Sequence, residues 1–210
     1  MAITYPLATP TTIGIESITL SAYNATATSE SPFTYKQQVF SHTGQKWVAS
    51  VTIPTVHRDL AEDWVGFLLA LKGQVGTFLL GDPNCTSPRG SASVTPGTPV
   101  VAGASQTGDT LAIDGLPTSV TGYLKRGDYI QLGSGSTATL HKVLTDVDTD
   151  GSGAATLDIW PNLRSSPANN ATVTLENCKG RFRLVNPVSS WGIDNQSTYS
   201  ISFEAVEALV

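Results

Sequence analysis

Asp146-Val-Asp148-Thr-Asp150-Gly151 is the sharpest chemical signal in the chain. Carboxylates at alternate positions followed by a glycine match the first half of an EF-hand calcium loop, in which those side chains ligate and the glycine makes the turn. The position that must supply a bidentate glutamate is Leu157, with Asp158 the nearest carboxylate, and the flanking segments read as strands. Asp150-Gly151 with Ser152-Gly153 also makes a good hairpin turn. The turn is the expected reading, with Asp146, Asp148 and Asp150 as the one candidate metal set. Nucleophilic catalysis has less to work with. There is no G-x-S-x-G elbow, His42, His57 and His141 are scattered, and no pair of carboxylates is brought together by sequence alone. Gly133-Ser-Gly135 is too short for a phosphate loop. The expectation is no catalytic residue, no cofactor and no enzymatic activity.

Two cysteines, Cys85 and Cys178, bracket a block of distinct composition. If the ends of that block meet, the two are neighbours. A disulfide is the functional reading, but two cysteines in a chain with no visible secretory signal are more often free thiols, which is the expectation. Arg89, Arg181 and Arg183 form the one local basic grouping. Arg181 and Arg183 share a strand parity opposite to Phe182 and Leu184, so both point away from the core. They are a solvated face or a subunit contact, since arginine is enriched in interface cores.

The elements that would carry these residues are mostly strands. Gly76-Thr-Phe78-Leu-Leu80-Gly-Asp82-Pro83 and Gly180-Arg-Phe182-Arg-Leu184-Val-Asn186-Pro187 share the form G-x-F-x-L-x-[DN]-P. Each is a short strand with Phe and Leu on one face, stopped by an Asx-Pro. The pair marks two edges of a domain inserted in another: residues 1–84 with 179–210 form the outer domain, and 85–178 the insert. Ile13 and Ile15, then Ile18 and Leu20, suggest an early strand. Phe33, Tyr35 and Val39 share one parity, and Trp47, Ala49, Val51 and Ile53 share another run. With His42-Thr-Gly44-Gln45 between them these predict a β-hairpin ended by Pro54. Leu60, Trp64, Phe67, Leu68 and Leu71 then fall on one helical face. Asp59, Glu62 and Asp63 lie early, Lys72 late, and Gly73 offers a C-cap, so a helix over 58–72 should pack these five side chains on a sheet. Tyr199, Ile201, Phe203 and Ala205 alternate in a closing strand that pairs with the N-terminal sheet. In the insert, Asn84–Asp109 reads as irregular. Five strands follow, Thr110–Ile113, Asp128–Leu132, Thr137–Val147, Ala154–Trp160 and Ala171–Leu175, at the spacing of a small barrel or sandwich. The fold class is mainly β: a β-sandwich domain with one packed helix, carrying a small all-β domain.

Composition agrees. Of 210 residues 40% are hydrophobic and only 14% charged, a balance unlike that of disordered chains and suited to burying surface against other subunits. Net charge is −5, split as −2 on the outer parts and −3 on the insert. Without a Lys/Arg cluster, binding to nucleic acid through phosphates is not expected. No stretch reaches the apolar length of a membrane span, and Met1-Ala-Ile-Thr-Tyr-Pro6 lacks the features of a secretory leader.

The segment Phe33–Ile53 with Gly44-Gln-Lys-Trp47, the helix Ala61-Glu-Asp-Trp64-Val-Gly-Phe67-Leu-Leu-Ala-Leu71, and Lys72-Gly-Gln-Val-Gly-Thr-Phe78-Leu-Leu-Gly-Asp82-Pro83 resemble distal tail proteins of long non-contractile-tailed phages. Lys125-Arg-Gly127-Asp128-Tyr-Ile130-Gln-Leu132, Asp150-Gly-Ser-Gly153 and Cys178-Lys-Gly-Arg-Phe182-Arg-Leu184 extend the similarity over most of Pro32 to Val206. The resemblance implies a virion structural protein: a subunit of a ring, typically a hexamer, at the distal end of the tail. It would join the tail tube to the tip complex and let DNA pass through its lumen as transient cargo. Implied partners are the chain itself, the tail-tube protein, the tail-tip hub, the tape-measure protein and fibre or receptor-binding proteins. Such proteins more often carry their second domain at the C-terminal side, so an insert with a returning strand departs from the pattern. The alternatives are a tail-tube protein, whose subunits usually stack through a long loop, and a carbohydrate-binding β-sandwich adhesin module using Trp160 and Trp191.

Overall fold

A computed structural model of the chain describes residues 3–209. Its strands are β1 (Leu7–Ala8), β2 (Ser17–Glu30), β3 (Gln37–His57), β4 (Phe78–Leu80), β5 (Val100–Val101), β6 (Gly108–Asp114), β7 (Tyr129–Leu132), β8 (Thr139–Val143), β9 (Ala155–Leu163), β10 (Val173–Thr174), β11 (Gly180–Leu184), β12 (Trp191–Ile193) and β13 (Thr198–Glu207). One helix, α1 (Arg58–Ala70), follows β3. The protein is mainly β with one packed helix, as the alternation of apolar residues predicts.

The strands form two sheets. The first runs β1-β4-β11-β13-β3-β2, with β12 also on β13. The two G-x-F-x-L segments are its β4 and β11, and they are antiparallel neighbours with Phe78 opposite Phe182. The closing strand β13 pairs with β3 from Thr198↔His57 to Val206↔Val48, with Tyr199, Ile201 and Ala205 buried and Ser200, Ser202 and Glu204 exposed. The second sheet runs β10-β7-β8-β9-β6-β5. It curls toward closure, because Val101 N–H donates to Ala171 O at 2.9 Å and Asn170 N–H to Val101 O at 2.9 Å. Strand β5 lies in the stretch expected to be irregular. With only two residues of Val it has no period to detect, yet it joins the two ends of the barrel.

Three expectations from the N-terminal region are corrected. Ile13 and Ile15 are not in a strand; they pack on the core, and Ile13 O accepts the Trp64 indole N–H at 3.3 Å. Phe33–Val39 and Trp47–Ile53 are not the two arms of a hairpin. From Gln37 onward they belong to a single strand, β3, whose partner is β2. Pro54 does not end that strand, which continues to His57. Its missing N–H falls where the β13 register shifts, between Ile201↔Ile53 and Tyr199↔Val56, so no ladder bond is lost. In the barrel, the expected strand Thr137–Val147 is cut to Thr139–Val143.

The helix buries Ala61, Trp64, Val65, Phe67 and Leu68, with Leu71 buried at its C-cap. Leu60, expected in this core, is 42% exposed. It shares the angular position of the others but sits in the first turn: periodicity fixes the face of a helix, not how far its partner extends along the axis. Lys72 lies outside the helix with φ 51°, and the chain turns away through Gly73 at φ 66°. An added Cβ on Gly73 would lie 2.8 Å from Pro187 O, so both conformation and space require glycine there.

The helix covers only part of the inner face of the first sheet. The rest is covered by the barrel, whose Tyr129 and Leu140 join the cluster containing Trp47, Phe78 and Phe182, while the barrel keeps a separate core around Leu111, Tyr123, Ile130 and Leu157. Trp47 is the hinge of this arrangement. Its indole N–H donates to Leu140 O at 2.9 Å, its ring meets Trp160 edge-on with centroids 4.4 Å apart, and Tyr129 lies 6.2 Å away. Truncation removes a large buried side chain and a hydrogen bond. Trp47→Ala is expected to cost about 3–5 kcal/mol in denaturant unfolding and to lower the melting temperature by roughly 6–20 °C. A loss under about 1 kcal/mol would mean that the barrel does not support the sheet at this point.

Candidate functional site

Strands β2 and β3 pair regularly from Ser17↔Thr52 to Asn24↔Gln45, then resume at Thr26↔Ser41. His42, Thr43 and Gly44 therefore oppose Ala25 alone. The segment that reads as a hairpin turn is a bulge inside a continuous strand, and Gly44 allows a close approach: a Cβ there would meet the Ala25 Cβ at 3.2 Å, a tight contact that Ala25 would have to yield to. Beyond the bulge the two strands leave the sheet as an arm ending in the turn Ser31–Lys36. There Tyr35 N–H donates to Ser31 O at 2.9 Å and Ser31 N–H to Lys36 O at 3.0 Å. From Ala22 to Gly44 every residue except Ser31 is exposed.

The arm is apolar where it has no cover. Phe33 and Tyr35 at its tip are 91% and 75% exposed. Phe40 pairs with Ala27 and Val39 with Thr28, so by strand alternation the apolar groups lie on both faces of the ribbon. An isolated two-stranded ribbon is marginal in water. Strand β2 is also the long edge of the sheet. It contains no Lys, Arg or Pro, and its only charge is Glu30 at the end, whereas proteins usually blunt such edges with charge or proline. Arm and edge together form an exposed surface rich in apolar side chains.

The three arginines do not form one group. Arg89 belongs to the barrel: its backbone N–H and Nε donate to buried Asp128 Oδ1 at 3.1 and 3.3 Å, and its Nη2 donates to Arg126 O. Arg181 and Arg183 lie on the outer face of β11. Arg181 Nη2 donates to Ala208 O at 3.1 Å, and Arg183 Nε is buried without a hydrogen-bond partner. Asp146, Asp148 and Asp150 are each turned to a different backbone. Asp146 Oδ1 accepts Arg126 N–H and its Oδ2 accepts Lys125 Nζ, Asp148 Oδ1 accepts Gly122 N–H, and Asp150 Oδ1 accepts Ser152 N–H, Ser152 Oγ and Ala154 N–H. Leu157 is buried in the barrel. Among the described residues no three carboxylate, imidazole or thiol groups are placed to hold a metal. Trp160 and Trp191 do not converge. Trp160 donates its N–H to Asn24 Oδ1 at 2.7 Å and meets Trp47 edge-on, while Trp191 sits on β12 in the other sheet.

Sequence reasoning missed the polar joint beneath the barrel. Glu207 is buried on β13; its Oε1 accepts Arg164 Nη1 at 2.6 Å, and its Oε2 accepts Arg164 Nη2 at 2.7 Å and the Trp47 backbone N–H at 3.0 Å. Asn162 N–H reaches Gln45 Oε1 and Arg164 Nη2 reaches Gln45 O. The signal was present: Glu207 has the parity of Ile201 and Ala205, and a charge on a buried parity calls for a partner. His141 completes the joint. Its Nδ1 donates to Pro161 O at 2.7 Å, so Nε2 is the acceptor and takes the Thr139 hydroxyl at 3.0 Å. No helix of the described residues is long and apolar enough to cross a membrane. No family model matches the chain, and no curated protein sequence matches it.

Burial pushes the His141 imidazole down from 6.5 to about 4. Above the ordinary value neither the folded nor the unfolded chain binds this proton, and the full contribution of the neutral ring is present. As pH falls from 6.5 toward 4, the unfolded chain takes up a proton that the fold refuses, and stability is lost, by on the order of 3 kcal/mol over the window. Melting temperature measured from pH 7 to 4.5 should therefore fall more steeply in the native chain than in His141→Gln. Parallel profiles would exclude His141 as the source of that dependence.

Proposed function

We propose that the protein is a virion structural subunit of a phage tail tip, forming a ring that joins the tail tube to the tip complex and passes DNA through its lumen. The observation that carries this reading is the uncovered arm and edge formed by β2 and β3. A chain with so few charges that leaves Phe33, Tyr35, Val39 and Phe40 in water is suited to life in an assembly, where another subunit covers them. A closed ring needs a head-to-tail contact between two different surfaces, and a projecting arm with a receiving surface elsewhere on the next copy satisfies that requirement. The resemblance of Phe33–Ile53, the helix and the β4 segment to distal tail proteins supplies the hexameric order and the neighbours: tail-tube protein, tail-tip hub, tape-measure protein, and fibre or receptor-binding proteins. The ring as proposed needs no catalytic group and no cofactor. The mild negative charge suits a conduit for DNA.

The arm also favours a second reading, a tail-tube subunit, because tube subunits stack through a long loop. The adhesin reading has lost its motivating geometry, since Trp160 and Trp191 face different surroundings.

Native mass spectrometry and electron microscopy of the purified protein separate these. A single closed ring supports the tip, stacked rings support the tube, and a monomer at all accessible concentrations sinks both. Replacing Phe33 and Tyr35 together by Ser should shift the assembly at least tenfold toward monomer while the monomer's melting temperature moves by no more than about 2 °C, because both side chains are solvated in the free chain.

A further inference from the structure

The chain leaves the first sheet after β4 and re-enters it at β11, and the two connecting segments run side by side. Asn177 N–H donates to Thr86 O at 2.8 Å, one residue inward from each cysteine. The ladder of β4 on β11 does not continue into these segments: the chain turns where Cys85 N–H donates to Asp82 O at 3.2 Å, and Asn177 has φ 49°. Cys85 precedes Thr86 and Cys178 follows Asn177, so the one Asn177–Thr86 backbone hydrogen bond holds the two cysteines on either side of a single contact. Both side chains belong to the same core cluster, Cys178 buried and Cys85 half-buried, and both are free thiols. We infer that Cys85 and Cys178 form a redox latch, in which a low-molecular-weight disulfide converts the two thiols into an intramolecular bond that closes the neck between sheet and barrel.

The roles of the two sulfurs differ. Cys85 reaches solvent and is the point of attack. Burial holds its thiol above the ordinary range, Asp82 and Asp128 add to that, and Lys142 and Arg89 oppose it. As the thiolate, Cys85 attacks one sulfur of the small disulfide, forming a mixed disulfide and expelling one thiolate. Cys178 then loses its proton to water, attacks the Cys85 sulfur and expels the second. Two protein thiols are oxidised and one small disulfide is reduced to two thiols, so electrons and protons balance. Cys178 Sγ must first leave two weak donor contacts, to Thr174 O at 3.2 Å and Tyr129 O at 3.4 Å. Burial pushes its thiol up to about 12. The second step is therefore the slow one, and it accelerates with pH.

The consequence is mechanical. The whole barrel lies in the loop that the bond closes, so the oxidised chain cannot separate barrel from sheet at the neck without stretching that loop. The unfolded chain is constrained as well, which stabilises the fold.

The test is incubation of the full-length protein with oxidised glutathione at pH 8.5, followed by non-reducing peptide mapping, thiol titration and a melting curve. The expected result is a Cys85–Cys178 cross-linked peptide, loss of both titratable thiols in the monomer, and a rise in melting temperature of roughly 5 °C or more that dithiothreitol reverses. Cys85→Ser, a change at the partly exposed partner, should leave Cys178 unreacted and abolish the rise. The latch is overturned if the native protein stops at a glutathione adduct, links only between chains, fails to react, or is cross-linked without gaining stability.

Discussion

Trp47 stands where the inner face of the first sheet changes cover, and most of the architecture follows from that change. Strand β3 has 21 residues and spans roughly 70 Å at about 3.3 Å per residue. The helix that packs on it has 13 residues and is only about 20 Å long at 1.5 Å per residue. A single helix cannot cover such a strand. Val51 and Ile53 pack in the zone with Trp64 and Phe67, whereas Trp47 packs under Leu140, Tyr129 and Trp160 of the barrel. Past Gln45 nothing among the described residues covers the ribbon. One strand thus runs through three zones: under a helix, under a barrel, and bare.

The joint at Trp47 also explains why a charge is buried there. The ladder between β3 and β13 stops at Val48↔Val206, so the Trp47 N–H reaches beyond its strand partner into the contact with the barrel. Leaving that donor unpaired in a dry interface costs more than a typical hydrogen bond gains. Glu207 accepts it, and Arg164 from the barrel balances the carboxylate with two hydrogen bonds. An apolar contact would serve stability at least as well, since buried ion pairs are weak evidence for net stabilisation. What the pair adds is orientation. It joins the end of β9 to the end of β13 in a fixed geometry, and it only makes its bonds when barrel and sheet are in register.

Much of this was legible in the residues, and the failures have physical causes. The G-x-F-x-L segments were read as two matching strands, and they are adjacent strands with Phe78 facing Phe182, because a repeated parity and a repeated stop specify a repeated environment. The parity of β13 and the helix stripe were readable for the same reason. The β2–β3 arm was not. Its Phe33, Tyr35 and Val39 look like a buried strand face, since an apolar run carries no mark of whether its cover comes from the same chain or another. Gly44 reads as a turn in the sequence because glycine signals a backbone need without saying which one. Here the need is the close approach of Ala25 across a bulge. Arg89, Arg181 and Arg183 lie near the junction in sequence, but Arg89 has a buried partner, Asp128, that only the fold brings to it.

The bare edge and the neck lie at opposite sides of the same sheet. In the order β1-β4-β11-β13-β3-β2, the junction strands β4 and β11 are separated from the bare edge β2 by β13 and β3. The separation is rigid, because β13 and β3 form one of the most extensive ladders in the molecule, with Ala49 and Val51 buried beneath it. A change of state at the neck therefore has no direct route to the hydrogen-bonding groups of β2, and a neighbour docking on β2 adds to the sheet without strain at the cysteines. The barrel is coupled to the arm elsewhere, through Trp160 on Asn24 and Asn162 on Gln45 at the base of the ribbon. These contacts set the direction in which the arm leaves the sheet. The position of the barrel thus decides where the arm points, and the neck decides how firmly the barrel is held. A chain organised in this way sets the direction of its arm from a domain that takes no part in the bare edge itself.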